Sequence, residues 1–237
     1  MTLADGTEPL IRLEHVFKKY DKAAILEDFS LTVRKGENVL FVGRSGAGKS
    51  TILRIILLLE RIEQGTIFYL GHDVTKSRGA WAAKRSVKIR LSYVSQNIDL
   101  WPNLKISENL MLVLEHQDEF KKQRDARHRM INLLKEFSIL DRADAFPHQL
   151  SAGERQRVAL ARAMASNPDA LLLDEVTSNL DAVGTKAVFE CLFDLSRRGV
   201  TLLSASHEAT IPSGLFPNTI TYGKSPGWGR AVHSVGG

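Results

Sequence analysis

Two stretches near the start of the chain alternate apolar and polar positions, PLIRLEHVFKKY (residues 9–20) and AILEDFSLTVRKGE (residues 24–37). Successive side chains of a strand face opposite sides, so this alternation predicts antiparallel strands with one face in water. Three other segments are short and nearly continuous in apolar residues: NVLFV (Asn38 to Val42), ALLLDE (Ala170 to Glu175) and VTLLSAS (Val200 to Ser206). That is the pattern of parallel strands buried on both faces. Helical patterns lie between them, which predicts a parallel sheet covered by helices.

From Ile98 to about Ala165 the strand signals stop. In EFKKQRDARHRMINLLKEF, Ala126, Met130, Leu133, Leu134 and Phe137 fall on one helical stripe. A second helix is predicted from near Ser151 through ERQRVALARAMA. The chain therefore reads as one α/β domain over residues 1–237, with core segments 1–97 and 166–237 and a helical subdomain of about 98–165 inserted between them. Near the C-terminus, TITY is a candidate last strand in a stretch otherwise rich in Pro, Gly and Ser.

Composition narrows this picture only slightly. A hydrophobic share of 43% and a charged share of 25% are those of an ordinary globular protein. The net charge of +5 suits nucleic acid or an anionic membrane face, but it arises from 32 basic against 27 acidic residues, so most of the surface is mixed. The single cysteine, Cys191, excludes an internal disulfide framework and is expected to be a core thiol. The N-terminus has no apolar core, so no secretory signal is expected there. The longest apolar run, IILLL (Ile55 to Leu59), is far short of the roughly 20 residues of a membrane-spanning helix. The chain is not expected to cross a bilayer by itself.

Candidate chemistry changes the picture far more. The run FVGRSGAGKST (Phe41 to Thr51) joins an apolar strand to the helix-forming STILRIILLLER. Gly43, Gly46, Gly48, Lys49 and Ser50 match G-x-x-x-x-G-K-[ST] in the strand-to-helix setting it requires. In such a loop the backbone from Gly43 through Arg44, Ser45, Gly46, Ala47 and Gly48 turns its N–H groups around a polyphosphate, and the new helix aims its positive end the same way. Lys49 is then expected to neutralise the β- and γ-phosphates, Ser50 to ligate Mg²⁺, and Thr51 to reach the α-phosphate. ALLLDE ends on Asp174 and Glu175, where a parallel sheet presents its C-terminal edge to ligand. Asp174 is a candidate Mg²⁺ residue, and Glu175 a candidate general base for water attacking the γ-phosphate.

The stretch HQLSAGERQRVALARAMASNPDALLLDEVTSNLD (His148 to Asp181) separates this chain from other phosphate-loop enzymes. It resembles the ATP-binding subunits of ABC transporters, whose L-S-G-G-Q signature, following helix and strand it matches almost throughout. The resemblance implies an α/β P-loop NTPase core with a RecA-like parallel sheet, an antiparallel β subdomain and an inserted α-helical subdomain. It implies ATP and Mg²⁺ as cofactors, and a head-to-tail dimer in which each signature, here Ser151, Ala152, Gly153 and Glu154, faces the ATP of a second subunit. It also implies that Tyr20 stacks on adenine, that Gln96 meets Mg²⁺ and the attacking water, and that His207 hydrogen-bonds the γ-phosphate. The loop SNLD, from Ser178 to Asp181, is implied to communicate between the two ATP sites. Four residues depart from the family pattern: Ala152 for the first signature glycine, Glu154 for glutamine, Val176 for proline and Asn179 for alanine. Val176 is expected to loosen the turn that aims Glu175.

Two functions follow from such an ATP clamp. In the first, the chain is the motor of a transporter, a homodimer on the cytoplasmic face of the cell membrane coupled to a separate permease. Trp101, Pro102 and Leu104 would then receive the permease, unless they simply pack beneath the helical subdomain. LWPNLKISENLMLV and FPHQLSAGERQRVALARAMASNP resemble importers of polar amino acids, with lipoprotein- or lipid-handling exporters close behind. In the second, the clamp acts on nucleic acid or ribosomes, for which the basic stretch from Lys76 to Arg90 is the candidate contact. Relatives of that kind carry two cassettes or a long coiled coil, and this chain has neither, so nucleic acid is the less favoured partner.

Overall fold

The computed structural model describes residues 8–21, 23–76, 87–117, 123–207, 211–212 and 214–221, with the backbone alone of 234–235. Most of the basic stretch and of the Gly- and Pro-rich end therefore lies outside the described residues. The alternating stretches form β1 (Ile11–Tyr20) and β2 (Ala23–Val33), antiparallel neighbours. With β4 (Gln64–Tyr69) and β5 (His72–Asp73) they make a four-stranded antiparallel sheet in the order β2-β1-β4-β5. On β1 the apolar positions Ile11, Leu13 and Val16 are buried, and β-bulges interrupt its register with β2.

The apolar runs form β3 (Asn38–Val42), β7 (Ala170–Asp174) and β8 (Thr201–Ser206). They sit inside a six-stranded sheet of order β10-β9-β3-β8-β7-β6, completed by β6 (Leu91–Val94), β9 (Asn218–Thr221) and β10 (Ser234–Val235). Every pairing in it is parallel except β10 with β9. All five residues of β7 are buried, which explains why its sequence shows no alternation.

Alternation reappears in what the two faces touch. Leu171, Leu173 and Leu202 enter one apolar layer, whereas Ala170, Leu172, Leu203 and Ala205 enter the other. The second layer contains α1 (Lys49–Ile56) and the buried face of the antiparallel sheet. The first is built by α2 (Ile106–Leu114), α3 (Gln123–Glu136), α4 (Ala152–Ala165) and α5 (Ala182–Arg197). Ala126, Leu133, Leu134 and Phe137 are buried along the α3 stripe, with Met130 half-buried beside them. Helix α4 packs against α2, α3 and α5, so it ties the helices between β6 and β7 to the sheet. Cys191 on α5 is half-buried against this layer, and burial pushes its thiol up to about 11.

Candidate functional site

The loop Gly43–Gly48 leaves β3 at the C-terminal edge of the sheet and enters α1 directly. Its turn depends on left-handed backbone at Gly46 (φ 77°) and Gly48 (φ 89°), the latter being the N-cap of α1. A side chain at either position would meet the steric penalty that glycine avoids. Because α1 is capped by no side chain, its first N–H groups stay available to an anion.

Lys49, the first residue of α1, is almost wholly buried. Its Nζ donates to the carbonyl oxygens of Gly43 (2.9 Å) and Arg44 (3.0 Å), and lies 3.4 Å from Glu175 Oε1. One residue on, Ser50 Oγ donates to Asp174 Oδ1 at 2.8 Å. The other oxygen of that buried carboxylate accepts from the Tyr93 hydroxyl, also at 2.8 Å. Burial first, and then the Asp174 charge, raise the Tyr93 phenol and keep it protonated. Tyr93 escaped the sequence reading. It lies in LSYVSQ on β6, and only the pairing of β6 with β7 brings its hydroxyl to the acidic strand end.

Glu175 follows β7 with left-handed backbone (φ 48°), and its N–H donates to the Ala205 carbonyl at 2.9 Å. Val176, which stands where the family pattern has proline, is buried directly after this turn. Gln96 Nε2 donates to Glu175 Oε2 at 3.1 Å, and His207 Nδ1 lies 3.5 Å from the same oxygen. One carboxylate thus gathers a lysine, a glutamine and a histidine from three separate elements. Ser178 Oγ donates to the Glu175 carbonyl at 2.9 Å, joining the SNLD loop to the same turn. Asp181 ends that loop as the N-cap of α5, accepting from Gly184 N–H at 2.7 Å.

The signature residues form a bonded group of their own. Ser151 caps α4, its Oγ accepting from the Glu154 N–H while Glu154 Oε2 accepts from the Ser151 N–H at 2.7 Å. Arg142 Nε adds a 2.9 Å bond to Glu154. The backbone bond from Ser151 and the Arg142 guanidinium lower the Glu154 carboxyl below its ordinary value. Glu154 therefore completes a capping box, a use that glutamine would also serve. Ala152 takes helical backbone without strain. The side-chain bonds of Ser151–Glu154 run to Arg142 and one another; none reaches the phosphate loop. Ala152 does line the same cleft as Gln96, Glu175 and Asn179.

Tyr20 is the last residue of β1, and its ring is exposed. Lys18 Nζ sits 4.9 Å from the ring centroid, held by the Arg61 carbonyl at 2.7 Å, so one face of the ring is backed by a cation. The sequence reading missed Lys18 as well. Trp101 and Pro102 are exposed and Leu104 half-buried, with the Arg162 guanidinium carbon 4.9 Å from the Trp101 ring centroid. Burial lowers the Arg162 guanidinium.

Comparisons with known proteins bear on the whole arrangement. A family model described as ABC transporter matches residues 26–178. Over 214 residues the chain is 36% identical to the methionine import ATP-binding protein MetN of Rhizobium johnstonii, covering 90% of this chain and 58% of that one. It therefore spans little more than half the length of that relative. The glutamate/aspartate import ATP-binding protein GltL of Escherichia coli is 37% identical over 199 residues, covering 84% of this chain and 81% of its own. Among solved structures, the dimeric post-hydrolysis ATP-binding cassette MJ0796 bound to ADP and Pi superposes with a TM-score of 0.79 at 27% identity, over 93% of this chain and 96% of its own. The fold is that of a P-loop NTPase core with an added antiparallel sheet and helices. With a family match over most of its length and relatives above a third identical, the chain belongs to the ABC transporter family, among its ATP-binding subunits.

Proposed function

We propose that the chain is the ATP-hydrolysing motor of an ABC transporter, driving a separate membrane permease through ATP-dependent dimerisation. The observation that carries this reading is the convergence of Lys49, Ser50, Asp174, Glu175, Gln96 and His207 at one edge of the parallel sheet. In it, the γ-phosphate of ATP takes over the Lys49 ammonium, which here is shared between two loop carbonyls and Glu175. Glu175 accepts a proton from the attacking water, with Gln96 and His207 fixing the direction of its carboxylate. The donor set suits Mg²⁺: a hydroxyl and a carboxylate oxygen 2.8 Å apart are hard oxygen ligands, and the Gln96 amide bonds Glu175, the residue next to Asp174. Ser50, Asp174 and Gln96 would hold the ion, and when bound it neutralises charge on the phosphate oxygens.

The signature at the α4 N-terminus, where Ser151 is exposed, serves a second copy of the chain, as its side-chain bonds run to Arg142 and one another rather than to its own phosphate loop. The import named for these relatives supports a membrane permease as partner and an amino acid as cargo, and a motor of that kind would sit at the cytoplasmic face of the membrane. Among the described residues no helix is long and apolar enough to cross a membrane. The import relatives do not favour the nucleic-acid reading.

Glu175→Gln tests the chemistry. The amide keeps the shape and cannot take a proton, so turnover should fall by about 10²–10⁴ while ATP affinity persists. Steady-state ATPase assays and size-exclusion chromatography with ATP provide the readout, the variant eluting as a dimer. Turnover at the unsubstituted rate removes Glu175 from its role.

A further inference from the structure

Asp174 is held at both ends by hydroxyls from different elements: Ser50 on α1 reaches Oδ1, and Tyr93 on β6 reaches Oδ2. Those two bonds are not equivalent. Ser50 lies at the start of α1, where its hydroxyl is needed by whatever the loop binds, so its bond to Oδ1 is the one a ligand exchanges. Tyr93 pairs in register with Leu172 on β7, and its ring packs into the apolar layer beneath α1. Packed against that layer and partly buried, the ring is positioned by the fold and not by the ligand.

We propose that Tyr93 is a positioning residue of the nucleotide and metal site, its hydroxyl fixing the Asp174 carboxylate by Oδ2 so that Oδ1 stays turned toward Ser50. This rests on the ATPase reading above. A carboxylate bonded at one oxygen only can rotate about its last bond, and rotation would point either oxygen or neither at Ser50. The Tyr93 bond selects one orientation before substrate arrives. The strand and the turn after it then do two jobs at once: Tyr93 sets Asp174, and Gln96, three residues on, bonds Glu175. Partners of this outer kind act on metal affinity more than on the bare nucleotide.

The test compares the full chain with Tyr93→Phe, which removes one oxygen and keeps the ring. Binding of AMP-PNP, a non-hydrolysable ATP analogue, is measured by calorimetry in EDTA and across a Mg²⁺ titration. The expected result is an unchanged Kd in EDTA, within twofold, with the Mg²⁺ concentration for half-maximal enhancement raised about tenfold or more. Tyr93→Met, which also lacks the hydroxyl, should shift the Mg²⁺ dependence equally. An unshifted Mg²⁺ dependence in Tyr93→Phe overturns the proposal. So does a shift in Tyr93→Met alone, which would assign the effect to packing. If the unsubstituted chain itself binds no AMP-PNP with Mg²⁺, the ATPase reading fails and the role of Tyr93 falls with it.

Discussion

Gly153 shows how little space separates the two helices that carry the signature and the SNLD loop. A Cβ built on Gly153 would stand 3.1 Å from the Gly184 Cα, a backbone atom that cannot rotate out of the way. Two effects oppose each other in Gly153→Ala. Alanine is the better helix former by about 1 kcal/mol. Overpacking a close contact costs about 1–3 kcal/mol, and here backbone of the α4–α5 contact has to give by a few tenths of an ångström to relieve it. Packing should win. Urea denaturation is expected to show a variant less stable by about 1 kcal/mol, the difference of those two magnitudes. A more stable Gly153→Ala would show that the helices separate freely and that propensity alone governs the site.

At the scale of elements, the loop before α2 is organised by one buried side chain. Asn109 Oδ1 accepts from the Trp101 N–H at 2.9 Å, and its Nδ2 faces the carbonyls of Trp101, Leu104 and Lys105 at 3.0–3.2 Å. Asn109→Ala strips these groups of their partner inside the fold and should cost about 2–3 kcal/mol. For a chain of this size that lowers the melting temperature by roughly 5–10 °C. Nucleotide affinity should stay within twofold, because none of these bonds touches the phosphate loop. A melting temperature within a degree of the parent would show that the loop is held by other contacts. Nothing in the sequence singled out Asn109, and the reason is physical. Periodicity reports whether a position faces the core, so β1, β7, β8 and the α3 stripe were legible, as was the loop-to-helix passage at Gly48. It does not report a polar side chain turned inward to serve backbone several residues away. Tyr93 and Lys18 were hidden for the same reason: each acts across the fold, on Asp174 and beside Tyr20, through pairings that depend on which strands become neighbours. The motif residues were legible because their spacing is local, yet their convergence on Glu175 comes from β3, β6, β7 and β8 lying in one sheet.

For the whole molecule, the separation of the signature from its own phosphate loop makes a quantitative demand. If each ATP lies between Lys49 of one copy and Ser151 of another, damage to the two positions must complement between chains. Lys49→Ala removes the ammonium from the phosphate loop. Ser151→Arg fills the exposed start of α4 while leaving Lys49 and its carbonyl partners intact. Each variant alone forms dimers with both sites broken, and should hydrolyse almost no ATP. In an equal mixture about half the dimers are mixed, and a head-to-tail arrangement gives each of these one intact site of two, so about a quarter of the unsubstituted activity should return. ATPase activity is measured across mixing ratios, with the maximum expected at equal amounts. Recovery that stays at zero while mixed dimers are shown to form by tagged co-purification would place both halves of the site on one chain. The separation of Ser151 from the loop would then have to close within a single copy, by movement of α4 against the sheet.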